Sequence, residues 1–225
     1  PLLQVFGVEQ TVFCIRRLHV QTGLLVKFSI GKKHPVKMRI NVISASSHKR
    51  RNQGGGHHFC SWCYENIKIN YFTLDIDSSV VTRYGAQDGA KKGYNPKKKG
   101  RNSHHPIIAF VNEVKMVANF WLRSGNTSSA NNFIGFLEET LSVFGTKKVG
   151  MVRLDSGFCQ KDIFEHLEQK ALKYIVAAKF THPVQHLIDK QDTWLMVDEG
   201  IEICDKHYQG KTWDKQRNRP TEDSQ

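Results

Sequence analysis

The alternation of hydrophobic and polar positions is clearest from residue 71 onward. Residues 71–83 are rich in β-branched and aromatic side chains and predict a long strand. Residues 85–105 are rich in Gly, Lys and Asn and predict a loop. Residues 106–111 and 114–122 are again apolar and predict two further strands. Three consecutive strands joined by loops favour an antiparallel meander.

The hydrophobic period changes after residue 127. Phe133, Phe136, Leu137, Leu141 and Phe144 recur at three- and four-residue steps, which predicts an amphipathic helix. We expect this helix to begin at an N-cap formed by the threonine at 127 or the serine at 128, and to be closed by the glycine at 145.

Strands and helices alternate in the rest of this region. Residues 148–154 predict a buried strand, a second helix follows around residues 163–171, and residues 174–178 predict a fifth strand before a third helix begins near residue 183. The predicted order is βββαβαβ. This order indicates an α/β fold built on one mixed sheet flanked by helices.

The two ends of the chain are less regular. Residues 1–70 hold no helical or strand period for long, and the glycine triplet at 54–56 predicts a linker. After residue 192 the pattern returns to short alternating segments and a polar tail. We therefore expect a basic N-terminal region over residues 1–70, a core over residues 71–190, and a separate C-terminal segment over residues 191–225.

Composition narrows the class of protein. Hydrophobic residues make up 39% and aromatic residues 10% of the 225 positions, which is too much for a disordered chain. No apolar run approaches the roughly 20 residues that a membrane helix needs, so no membrane partner is expected. The start at Pro1 shows no legible signal peptide, and five scattered cysteines do not form a disulfide framework, so a reducing cytoplasm is expected.

Positive charge is concentrated in two segments. The formal net charge is +12. Residues 1–70 hold 11 basic and 2 acidic groups, and residues 83–105 hold seven basic groups and one acidic group, whereas residues 106–225 are nearly neutral with 15 and 16. Such blocks attract polyanions by counterion release, which favours a nucleic-acid partner over a merely solvated surface. The predicted DNA contacts are Lys91, Lys92, Tyr94, Lys97, Lys98, Lys99, Arg101 and Arg123.

Two aspartates stand out by position. Asp77 lies in the first predicted strand of the core, and Asp155 ends the fourth. Because these two strands are commonly neighbours in a βββαβ arrangement, the carboxylates can converge and hold Mg²⁺, which prefers oxygen ligands. The alternatives are a turn-forming Asp155, and Asp75 in place of Asp77, since side chains two apart share one strand face.

A pair of cysteines offers a different metal site. His57, His58, Cys60 and Cys63 place four His/Cys ligands within seven residues, and a Cys-x-x-Cys pair is half of a typical zinc site. The second half of such a site is missing from the sequence, so we favour free thiols here.

Several separated motifs, in a fixed order, resemble one family. They are LDIDSSVV at residues 74–81, GYNPK at 93–97, GR at 100–101, HP at 105–106, LRSGNT at 122–127 and RLDSGF at 153–158. The sequence is similar here to bacterial insertion-sequence transposases of the DDE type, the group known as transposase DDE domain group 1. The resemblance covers roughly residues 71–190.

The resemblance implies a ribonuclease-H-like fold and a metal-dependent reaction on DNA. It implies Asp77 and Asp155 as catalytic ligands of Mg²⁺ or Mn²⁺, and it selects Asp77 over Asp75 because the family places its aspartate directly before a Ser/Thr pair. It also implies cleavage of double-stranded DNA at transposon ends, followed by strand transfer into target DNA. A homodimer, associated with the nucleoid in the bacterial cytoplasm, is the implied working form.

One part of the family pattern is missing. The family carries a third carboxylate, a glutamate on a late helix, which residues 191–225 do not match. We expect this segment to be the start of a β-rich insertion, so that the chain stops before its third ligand and is an incomplete fragment. The other functions that remain open are a non-catalytic nucleic-acid-binding remnant and a nuclease of the same fold.

Overall fold

A computed structural model describes residues 2–7, 12–17, 54–198 and 201–205. The basic run at residues 48–51 and the polar tail at residues 206–225 lie outside the described residues. The strands are β1 (Leu2–Gly7), β2 (Val12–Arg17), β3 (Tyr71–Ser78), β4 (Val81–Thr82), β5 (Lys91–Lys92), β6 (Asn102–His104), β7 (Ile107–Val111), β8 (Met116–Trp121), β9 (Lys148–Leu154), β10 (Tyr174–Ala177), β11 (Leu195–Asp198) and β12 (Ile201–Asp205). The helices are α1 (Gly54–Asn66), α2 (Phe133–Ser142), α3 (Lys161–Gln169) and α4 (His182–Asp189), and a short 3-10 turn spans Ser156–Phe158.

The main sheet is mixed and, in the described residues, has nine strands in the order β11-β12-β2-β1-β10-β9-β3-β7-β8. Strands β3, β7 and β8 form the predicted antiparallel meander, while β9 pairs with β3 in parallel and β10 with β9 in parallel. The structure confirms the predicted βββαβαβ order, and with it the α/β arrangement expected of a ribonuclease-H-like core. Strands from the two ends of the chain extend the same sheet through the β1–β10 and β12–β2 pairings.

Apolar side chains at every second strand position build the core. In β3 these are Phe72, Leu74 and Ile76, each at most 2% exposed, and the opposite face of the strand is open or half-buried. Helices α2 and α3 contribute buried residues at helical spacing, including Phe136 and Phe164. The polar face of β3 is therefore left free for charged groups, and Asp77 lies on it.

The glycine triplet does not form the predicted linker. Helix α1 begins at Gly54 instead, although glycine costs roughly 1 kcal/mol relative to alanine inside a helix. Tertiary packing overrides this preference, because Tyr64 is fully buried and its ring lies 5.6 Å from Phe72 and 4.8 Å from Phe144. The helix is docked onto the core by this aromatic cluster.

Two local boundaries also differ from the predictions. Residues 85–105 contain β5 and β6, which pair with β4 in a small antiparallel sheet of order β4-β6-β5, rather than forming only a loop. Helix α2 is capped at Asn132, in a left-handed conformation with φ 58°, and not at residue 127 or 128. Strand pairing sets the first boundary and the left-handed backbone at Asn132 sets the second, and local composition shows neither.

None of the helices in the described residues has the length and hydrophobicity to cross a membrane.

Candidate active site

The two predicted aspartates lie at adjacent strand ends. In the parallel β3–β9 pair, Ile76 lies opposite Leu154, so the next residues, Asp77 near the end of β3 and Asp155 directly after β9, lie side by side. Neighbouring strands are about 4.8 Å apart in the hydrogen-bonding direction. The fold therefore brings together two carboxylates that are 78 positions apart in the sequence, at the carboxyl ends of two central strands.

Asp155 is in an environment that disfavours its charge. Burial, the largest cause, and the negative charge of Asp77 raise its pKa above the ordinary value. The backbone amide of Gly157, which donates to its Oδ1 at 2.9 Å, and the nearby His105 only partly offset this rise in pKa. An acidic group that is destabilised in this way is well suited to bind a cation.

Asp75, the alternative to Asp77, is already neutralised. In the register of the β3–β9 pair it lies opposite Arg153, whose Nη2 donates to Asp75 Oδ2 at 2.6 Å while its Nε bonds the other oxygen. Asp77 is exposed, and the bond recorded for its carboxylate comes from the amide of Ser78 at 2.6 Å. Of the two, Asp77 is the carboxylate available for a metal ion.

A polar network fixes the residue next to Asp77. The Ser78 hydroxyl lies 2.6 Å from Nε2 of His105, whose Nδ1 contacts the carbonyl oxygen of Thr127. Arg123 Nη2 donates to the same hydroxyl at 3.1 Å. This network ties the end of β3 to the segment after β8 and restricts where Asp77 can move. Spacing arguments missed Ser78 and His105, although both lie within the quoted family motifs.

Arg123 does not fit its predicted role as a phosphate contact. It is only 8% exposed, and burial lowers its pKa to about 10. Its guanidinium donates to three backbone carbonyls, those of His105 at 3.0 Å, Ser129 at 3.0 Å and Asn131 at 2.8 Å. A guanidinium whose donors are used in this way holds the segment between β8 and α2 in place and does not reach a DNA backbone.

The remaining predicted DNA contacts lie on a small projection. We call residues 81–104, which contain β4, β5 and β6, the basic lobe. The chain leaves β3 after Ser78 and returns at His105, and the amide of Ser79 bonds the carbonyl of Pro106 at 3.2 Å. The lobe is thereby anchored at the same end of the sheet as the aspartates. All of these predicted contacts are exposed there: Lys91, Lys92, Tyr94, Lys97, Lys98, Lys99 and Arg101.

The carboxylates at this end of the sheet have the donor chemistry that suits a hard divalent cation. Asp77 and Asp155 offer carboxylate oxygens, which Mg²⁺ and Mn²⁺ prefer. Within the described side chains no cluster of three or more His, Cys, Asp or Glu residues could hold a metal ion. Cys60 and Cys63 are free thiols on α1, and the side chains of their predicted partners, His57 and His58, lie outside the described ones.

Comparison with known proteins identifies similar sequences and structures. The family model described as transposase DDE domain group 1 matches residues 39–219. Among solved structures, a piggyBac transposase synaptic complex with hairpin DNA is 14% identical, with a TM-score of 0.39 over 64% of this chain and 31% of that chain. A Mos1 mariner paired end complex with Mn is 12% identical, with a TM-score of 0.33 over 56% of this chain and 43% of that one. The chain thus spans less than half the length of either structure, and no curated protein matches it.

Proposed function

The chain belongs to the transposase DDE domain group 1 family, and we propose that it carries part of the catalytic centre for metal-dependent DNA strand cleavage and strand transfer during transposition of an insertion sequence. One observation carries this proposal: Asp77 and Asp155 leave paired parallel strands at adjacent positions. The raised pKa of Asp155, caused by burial and then by the charge of Asp77, supports the same assignment.

Asp77 and Asp155 would hold Mg²⁺ or Mn²⁺. When bound, such an ion supplies charge stabilisation to the attacking and leaving oxygens of an in-line phosphoryl displacement. The role of the protein is placement: the Ser78–His105–Arg123 network holds the end of β3, and the Asp155 Oδ1 bond to Gly157 holds the end of β9. A third carboxylate, supplied from outside the described residues, completes the proposed site.

Double-stranded DNA, as transposon ends and as target, is the proposed partner. The exposed lysines of the basic lobe lie at the aspartate end of the sheet, where they would hold the phosphate backbone near the carboxylates. The proposal includes a homodimer as the active form, working in the nucleoid of the bacterial cytoplasm. The division of the chain into residues 1–70, 71–190 and 191–225 stays a prediction.

Metal binding tests the site directly. We expect electron paramagnetic resonance to show Mn²⁺ bound to the wild-type chain, and Asp77→Asn to weaken this binding at least about tenfold, since even the loss of an outer-sphere partner costs that much. Asp75→Asn is the matched control, because Asp75 lies on the same strand face and its charge is already paired with Arg153. Equal weakening by both substitutions, or none by Asp77→Asn, would contradict the assignment.

Strand transfer separates the proposed activity from the alternatives. In a protein that combines this chain with a third carboxylate, we expect joining of cut DNA ends to a target, lost in Asp77→Asn and in Asp155→Asn. Cleavage without joining would indicate a nuclease of the same fold. For the 225-residue chain alone we expect salt-sensitive DNA binding and little cleavage, and efficient cleavage would refute the need for a further ligand.

A further inference from the structure

An open groove lies on the basic lobe, and neither Asp77 nor Asp155 lines it. Its volume is about 470 Å³, within the range of about 300–1,000 Å³ that is typical of small-molecule pockets. Arg83, Tyr84, Lys92 and Arg101 line it, and among the described residues that form its walls there are three cations and no carboxylate. The groove is therefore large enough for one nucleotide and selects for negative charge.

An aromatic ring is presented in this groove. Tyr84 is 75% exposed, so its ring is not part of the core. The guanidinium carbon of Arg101 lies 5.9 Å from the ring centroid, at the outer limit of a cation–π contact. An exposed ring next to planar and charged groups is the usual platform on which proteins stack the bases of single-stranded nucleic acid.

The groove is also held in a defined shape. Arg83 Nε donates to His104 Nδ1 at 3.0 Å, and the backbone amide of Arg83 bonds the carbonyl of Asn102 at 2.8 Å. Gly100, with φ 76°, leaves open space at the side where a larger residue would project. A groove whose backbone is fixed in this way needs little reordering when a ligand binds.

We propose that this groove binds an unpaired nucleotide of single-stranded DNA, with the base stacked on Tyr84 and the phosphate held by Lys92 and Arg83. Base faces are buried by stacking inside a duplex, so along a strand only an unpaired base offers a face to the ring, and a duplex offers one only at each of its two ends. The lysines elsewhere on the lobe contact phosphates of either DNA form. The proposal rests on DNA being the partner under the proposed function, and adds that frayed or single-stranded DNA is recognised.

The test compares two forms of DNA without divalent metal. Fluorescence anisotropy in EDTA measures binding of a labelled oligo(dT) strand and of a blunt duplex of equal length. We expect Tyr84→Ala to weaken single-strand binding about fivefold or more, as stacking on one aromatic ring implies, and to leave duplex binding unchanged. Tyr84→Phe keeps the ring and should bind the single strand as the wild type does.

Tyr71→Ala is the matched control, since Tyr71 is also an exposed tyrosine (65%) but begins β3 at the opposite end of the sheet. It should change neither affinity. Equal weakening of both DNA forms by Tyr84→Ala, or unchanged single-strand binding, would overturn the groove assignment alone. Absence of binding to either form by the wild type would overturn the groove and the proposed DNA partner together, whereas failure of metal binding at Asp77 leaves this result unaffected.

Discussion

At the residue scale, the Asp155 carboxylate lowers the stability of the folded chain. Its charge is disfavoured by burial and by Asp77, and the Gly157 amide compensates only in part. A carboxylate whose pKa is raised by folding stabilises the native state only while it is protonated. The ionised Asp155 therefore lowers the free energy of unfolding at neutral pH, and a cation bound between Asp77 and Asp155 would offset this loss.

Removing this charge should stabilise the metal-free protein. Asp155→Asn keeps an oxygen that can accept from Gly157, and we expect its melting temperature in EDTA at neutral pH to exceed that of the wild type by a few degrees. The difference should shrink as the pH falls through the raised pKa of Asp155 and vanish below the ordinary value of 3.8, where the wild-type carboxyl is protonated in both the folded and the unfolded state. Differential scanning calorimetry across this pH range measures the effect.

Asp75→Asn serves as the control for that measurement. It removes one partner of a close ion pair with Arg153 and should not raise the melting temperature. A melting temperature of Asp155→Asn below that of the wild type in EDTA would show that the carboxylate stabilises the fold, contrary to the site proposed here.

Individual side chains show what the sequence could and could not predict. Spacing placed Asp75 and Asp77 on one strand face and left both open as ligands, because side chains two apart always share a face. Only the β3–β9 register, which sets Arg153 opposite Asp75, gives a physical reason to prefer Asp77. Arg123 was expected at the surface, and neither its residue type nor its motif indicates that the chain folds back so that three backbone carbonyls, those of His105, Ser129 and Asn131, accept from its guanidinium.

At the scale of elements, the basic lobe is attached to the core by close backbone packing. A Cβ at Gly125 would lie 2.2 Å from the carbonyl oxygen of Ser103 and 2.3 Å from that of Lys91. A Cβ at Gly93 would lie 1.8 Å from the carbonyl oxygen of Gly125. The segment after β8 thus fits against β5 and β6 only because both positions carry glycine.

Gly125→Ala should therefore separate the lobe from the core. We expect a loss of at least about 1–3 kcal/mol in the free energy of unfolding, the usual cost of overpacking, together with weaker DNA binding because the lysines are displaced. Urea denaturation and fluorescence anisotropy measure the two effects. Gly85→Ala is the control, since a Cβ there has nothing within 4 Å. Equal stability of the two variants would show that the lobe is not anchored at Gly125.

Long periodic elements were predictable and short contact-dependent ones were not. The three strands of the meander, α2 and β9 follow hydrophobic periods over six or more residues, and the structure confirms them. Strands β5 and β6 have two and three residues and lie in the Gly- and Lys-rich stretch at residues 85–105, so their composition indicates a loop. Helix α1 starts in a glycine triplet and depends on aromatic packing around Tyr64. Hydrophobic periodicity does not predict secondary structure where contacts between distant parts of the chain determine the conformation.

At the scale of the whole molecule, one of the two basic segments of the sequence lies at the aspartate end of the sheet. Residues 83–105 carry seven of the 33 basic groups, and their lobe is anchored beside two carboxylates that would by themselves repel DNA. Other lysines lie at the opposite end of the sheet, at or just before the starts of β3, β9 and β10. If position matters more than net charge, the two groups of lysines should differ in their effect on DNA binding.

Two triple substitutions with equal loss of charge test this. Lys97, Lys98 and Lys99 are changed to Gln in one variant, and Lys68, Lys148 and Lys173 in the other; all six are exposed. Each lysine–phosphate contact adds about 0.9 to the slope of log affinity against log salt, so the lobe variant should flatten that slope by up to about 3 and weaken binding to all sequences alike. The second variant should leave the slope nearly unchanged, because its lysines face away from the site. Equal flattening by both would show that DNA responds to net charge alone, and an unchanged slope in the lobe variant would remove the lobe from the DNA interface.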